Sequence, residues 1–169
     1  MIAELLVLVA MPVLLLAAGL YDLASFTIPN FLSVALAALF LVFAAAAGFS
    51  PALLGWHLAA GMAGLVLGFG LFAAGWIGGG DAKLFAGIAL WLGFSDLLPY
   101  AVVASLFGGL LTLLLLLARQ MPLPVFLLGR AWVVRLHDAR SGIPYGVALA
   151  AGAFALLPYS EIFRLAAQA

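Results

Sequence analysis

From Leu5 to Leu20 the chain carries no charged side chain, and comparable apolar runs recur along it, separated only by short breaks. Runs of this length suit helices that cross a hydrocarbon core of about 30 Å at a rise of about 1.5 Å per residue. Composition agrees. A chain that is 69% hydrophobic and 7% charged, with a mean hydropathy of +1.36, could not solvate the surface of a soluble domain. The expected fold is therefore an all-α, polytopic integral membrane protein, a single membrane-embedded domain over residues 1–169. A formal net charge of zero argues against nucleic acid as a partner. The lack of cysteine excludes a disulfide framework, a cysteine zinc site and a catalytic thiol.

The pattern predicts six spans, over roughly 4–21, 31–48, 52–76, 82–94, 98–118 and 145–163. The first begins with an acid, Glu4, and no base, so it reads as a permanent span and not as a signal peptide. Pro12 interrupts it and implies a kink or a freed carbonyl. Pro29 ends regular structure, Asn30 is placed to cap the second span, and Ser50-Pro51 opens the third. Gly61, Gly64, Gly68 and Gly75 fall on one stripe of the third span, where small residues let helices approach closely. The fourth span is only about 20 Å long. Its shortness predicts that Gly78 to Asp81 dips below the membrane surface as irregular backbone beside water. Residues 119–142, with Arg119, Arg130, Arg135 and Arg140 around Trp132, suit the membrane surface.

Basic residues in short loops orient such a chain. In the six-span arrangement Lys83 and the four loop arginines share one side and only Arg164 lies on the other, so the basic side is expected to be cytoplasmic. Asp22, Asp81 and Pro144-Tyr145-Gly146 then share that face.

Those two aspartates are the candidates for chemistry. An ionisable group at the edge of hydrocarbon is costly and points to function. Singly, Asp22 reads as a loop acid and Asp81 as a helix N-cap; together, with a short span and a glycine run, they read as a pair that activates water. Asp22 ends one helix and Asp81 begins another, so the helix dipoles disfavour charge on the first and favour it on the second. Two adjoining carboxyls share one proton, with Asp81 expected as the base and Asp22 as the acid. Gly78, Gly79 and Gly80 would permit unusual backbone angles and a close substrate strand, and Lys83 reads as an interfacial anchor more than as a partner of a carboxylate. His57, beside Trp56, reads as interfacial. Asp96 and Glu161 read as solvated. With two histidines far apart, no metal site is expected.

Gly78-Gly79-Gly80-Asp81-Ala82-Lys83-Leu84 resembles the GxGDxKL motif of the type IV prepilin peptidases. Asp22 followed by Ile28-Pro29-Asn30 resembles that family's first aspartate motif, and Ile143-Pro144-Tyr145-Gly146 is similar to its late Pro-Tyr-Gly motif. The three occur in family order. The resemblance implies a bacterial inner-membrane aspartic endopeptidase that needs no cofactor. It would remove the basic leader of prepilin or pseudopilin precursors at the cytoplasmic face, through Asp22 and Asp81. Gly78, Gly79, Gly80, Lys83, Pro29, Asn30, Pro144, Tyr145 and Gly146 would shape the site, and membrane lipids would surround it. Larger members carry a cysteine-rich N-terminal insertion and also methylate the new terminus. This chain has no cysteine and a first loop of only Tyr21 to Asn30. The resemblance therefore implies a short, peptidase-only form like those of Flp/Tad pilus systems, and gives no ground to expect methylation. The residues alone leave two other readings open: another GxGD intramembrane protease, or a proton-coupled carrier or assembly subunit.

Overall fold

A computed structural model describes residues 1–168. Seven helices account for most of it: α1 Ile2–Ser25, α2 Asn30–Ala46, α3 Pro51–Ala73, α4 Gly79–Ala118, α5 Ala131–His137, α6 Tyr145–Leu156 and α7 Glu161–Gln168. Among the described residues, α1, α3 and α4 are long and apolar enough to cross a membrane. A fourth span results if α6, its 3₁₀ extension to Tyr159 and α7 count as one element bent by 51°. Helix α2 is apolar but only 17 residues long. Length and composition alone thus pick out three or four spans, whereas the expected six count α2 and the two arms of α4 on either side of Gly93 separately.

Two local features shape the long helices. In α1, a π-helical turn occupies Leu6–Ala10, just before Pro12, and the Met11 N–H reaches back to Leu6 O. That is where the freed carbonyl of a proline-containing helix was expected. In α4, Gly93 leaves helical geometry altogether (φ 68°, ψ −178°), a combination essentially confined to glycine. The expected boundary between the fourth and fifth spans is this one residue.

Contacts fix the direction of each segment. From Gly61 to Gly68 on α3, the nearest partners on α4 run backwards from Leu90 to Ala82, so these helices are antiparallel. A Cβ on Gly64 would lie 2.6 Å from that of Ala89, which is why the stripe is glycine. Gly75 is not part of the stripe. It has φ +75° and nothing near it, and it ends α3 where the Trp76 N–H returns to Leu71 O. Beyond Gly93, α4 packs antiparallel on α6, with Ala104 against Gly152 and Gly108 against Tyr145. Ser95 donates to Glu161 at one end of the bundle, and Arg119 donates to Gly142 O at the other. Helix α4 therefore doubles back at Gly93.

The far end from Asp81 is closed by aromatic packing. Trp91 stacks on Phe43 and donates to Leu36 O at 2.8 Å. His57 is not interfacial. It is 2% exposed, stacks on Phe40, and its Nδ1 donates to Leu90 O at 3.0 Å. Its ring also fills the space that a Cβ on Gly93 would need. Asp96 and Glu161 are bonded as well as wet: the Glu161 N–H donates to Asp96 Oδ2 at 2.7 Å and so caps the start of α7. In lipid such cohesion comes from contact and hydrogen bonds, because apolar burial drives no association there.

Candidate active site

Helix α1 ends one turn after Asp22. Phe26 adopts a left-handed conformation (φ 56°) and its N–H returns to Asp22 O at 2.7 Å, so the chain turns sharply toward Thr27 and Ile28. Asp22 is thereby held on the inner face of the last turn, 4% exposed. Asp81 is the third residue of α4, 6% exposed, and its Oδ2 accepts the Gly78 N–H at 2.9 Å. That bond satisfies one of the helix's orphan donors and fixes the carboxylate rotamer.

The two carboxylates line one cavity of about 250 Å³, together with Phe26, Ile28, Asn30 and the three glycines. Asp22 has a partner that chain order does not reveal. Its Oδ2 accepts the Gly146 N–H at 2.7 Å, from the first turn of α6, 124 residues away. The dipole of α6 therefore offsets that of α1 at Asp22, so helix polarity alone does not separate the roles of the two acids. Asp81 Oδ1 is buried and makes no hydrogen bond to the protein.

The glycines serve by size and not by unusual angles. None of Gly78, Gly79 and Gly80 has positive φ, and Gly79 and Gly80 are already helical. The irregular backbone expected from Gly78 to Asp81 is confined to the turn that ends at Gly78, since the helix begins at Gly79. A Cβ on Gly80 would sit 3.1 Å from that of Ile28. Ile28 is the residue that sequence reasoning undervalued. It is buried at 8% exposure between Gly80 and Gly146, and a Cβ on Gly146 would meet its Cδ1 at 2.7 Å. Ile28 wedges the start of α4 away from the start of α6. The quoted Ile-Pro-Asn string was a signal that could have found it.

Other expected site residues divide. Asn30 lines the cavity but does not cap α2; the N-cap is Pro29, and the Asn30 Oδ1 accepts from Lys83 Nζ at 2.8 Å. Lys83 is exposed and turned to Asn30, away from the carboxylates. Pro29 and Pro144 set the entries to α2 and α6 from outside the cavity lining. Tyr145 lies against Gly108, away from the carboxylates. Residues 119–142 form a strap beside the site. Arg119 donates to Leu136 O and Gly142 O, and Arg135 donates to Ser25 O at 3.1 Å, so these arginines serve the fold through backbone carbonyls. Among the described residues no cluster of side chains could hold a metal ion.

A family model described as the type IV leader peptidase family matches residues 9–113, more than half of the chain and both aspartates. No curated protein and no solved structure matches. Gly146 lies beyond the matched residues, so its bond to Asp22 is information from the fold alone.

Proposed function

Because this chain belongs to the type IV leader peptidase family, we propose that it is an aspartic peptidase in which Asp22 and Asp81 activate the water that cuts the leader from a prepilin. Family membership makes it a membrane peptidase with prepilin substrates as partners. The aspartic mechanism rests on one observation: two buried carboxylates, remote in sequence, line one cavity.

The chemistry follows from their surroundings. One proton is shared by the pair, since two adjacent anions repel. Asp81 Oδ1, which makes no hydrogen bond to the protein, is the acceptor for a water proton, while Asp22 Oδ2 is tethered by Gly146. The water oxygen bonds to the scissile carbonyl carbon as its proton passes to the free carboxylate. The other carboxyl gives its proton to the leaving amine as the C–N bond breaks. The N–H groups of Gly79 and Gly80, in the first turn of α4, have no intrahelical acceptor and border the cavity. They are suited to receive the carbonyl oxygen as it gains charge.

Orientation is part of the same reading. Lys83, Arg119 and Arg135 bond at the end that carries the carboxylates, and Arg164 lies on α7 beside the opposite end. A basic end supports a cytoplasmic site in the inner membrane. The lack of cysteine and the short first loop support an Flp-like precursor.

Co-expression with a neighbouring pilin-like precursor tests the reading by the mass of the precursor's N-terminus. Wild type should remove the leader, and neither Asp22→Asn nor Asp81→Asn should. Intact precursor with wild type, or normal cleavage by either variant, overturns it.

A further inference from the structure

Helices α2 and α3 both pack on α4, and between them runs a second, nearly apolar groove of about 250 Å³. Ser33 and Ala37 form one wall, Met62 and Leu65 the other, with Lys83 and Ala86 among the floor residues. We propose that this groove seats the first turns of the substrate's apolar helix, directly behind the scissile bond; this rests on the peptidase reading above.

Two independent features select a peptide helix over a lipid chain. The first is continuity. Lys83 lines the groove and Asn30 lines the carboxylate cavity, and the two side chains are joined at 2.8 Å. Groove and active site meet at that bridge, so a helix lying in the groove would send its preceding residues across it, onto Asp81. The second is Ser33. Its Oγ is buried without a partner, and the residue lies one turn along α2 from Asn30. A lipid tail has nothing to offer that oxygen. A helix that begins just past the scissile bond has free N–H groups in its first turn, and a serine oxygen is a suitable acceptor for them. The groove runs along α4 from Lys83 to Leu90, about two helical turns.

The test compares two substrates with the detergent-solubilised full-length enzyme: an intact precursor, and a short peptide that spans the scissile junction but lacks the apolar helix. The readout is the ratio of their kcat/KM values. Ala37→Trp and Met62→Trp, on opposite walls, should each lower the ratio at least tenfold. Leu106→Trp, on an outward face of α4, should leave it unchanged. A photo-crosslinker at position 62 in an otherwise native chain should capture the precursor helix, and one at 106 should not. An unchanged ratio in both groove variants, or capture of lipid alone at position 62, overturns the groove. Failure of wild type to cut either substrate overturns the peptidase reading instead.

Discussion

The Gly146 N–H and the Asp22 carboxylate are joined at 2.7 Å, although 124 residues of chain separate them. A Cβ at position 146 would stand 2.8 Å from that same oxygen and 2.7 Å from Ile28 Cδ1. Gly146→Ala should therefore displace Asp22 while leaving the helices assembled. A hydrogen bond to a charged group is worth about 1.5–3 kcal/mol, so kcat/KM should fall by roughly ten- to a hundredfold or more. Steady-state cleavage beside size-exclusion behaviour checks this, and full activity would remove Gly146 from the site.

In the proposed mechanism Asp22→Asn and Asp81→Asn each delete one half of a proton relay. General acid–base groups typically contribute about 10²- to 10⁴-fold. Each variant should lose at least that much, and the double variant should be little worse than either single one, because the pair acts as a unit. Independent, multiplying losses would argue that the two carboxyls do not work together.

The activity should also have an acidic limb. The competent state holds one proton on the pair, so kcat/KM should rise with pH as the first proton leaves and fall again as the second leaves. The sign is fixed by charge: doubly protonated carboxyls cannot accept from water, and doubly ionised ones cannot donate to the amine. A profile that stays flat through the acid range would sink the shared-proton scheme.

Gly93→Ala should affect stability first. The residue has φ +68°, and a Cβ there would lie 3.0 Å from the His57 ring. Backbone strain of this kind costs about 1–3 kcal/mol. Thermal denaturation in detergent should show a clear loss, and His57→Ala, which makes room for the new methyl, should recover part of it in the double variant. No recovery would mean that backbone strain alone, and not the ring, sets the cost.

Arg135→Ala removes the link from α5 to Ser25 O. The bond is exposed, so the effect on global stability should stay near 0.5–1.5 kcal/mol. Amide exchange across residues 131–142 should quicken more than exchange in α4. Equal protection in wild type and variant would show that the strap is held by other contacts.

Much of this arrangement was legible because lipid imposes strong rules. Long apolar runs had to be helices, a glycine stripe had to be a close contact, and the two acids singled out at the hydrocarbon edge do line one cavity. What stayed hidden was long-range pairing. Asn30 looked like a cap because its partner Lys83 is 53 residues away. His57 looked interfacial beside Trp56, since the chain does not say which side of α3 meets Gly93. The glycine run was read as conformational freedom, and the neighbour that demands small residues, Ile28, became visible only once three segments were packed together. The break between the fourth and fifth expected spans was legible, at 94–98 beside Ser95 and Asp96, but not that a single residue, Gly93, turns the chain there.

The π-turn of α1 has a consequence for how the chain tolerates change. It amounts to one stored residue between Leu6 and Ala10. Deleting a residue there would convert the turn to ordinary α-helix and leave the segment ahead of it facing as it does now. Everything from Met11 onward, including the acid eleven positions later, would keep its heading.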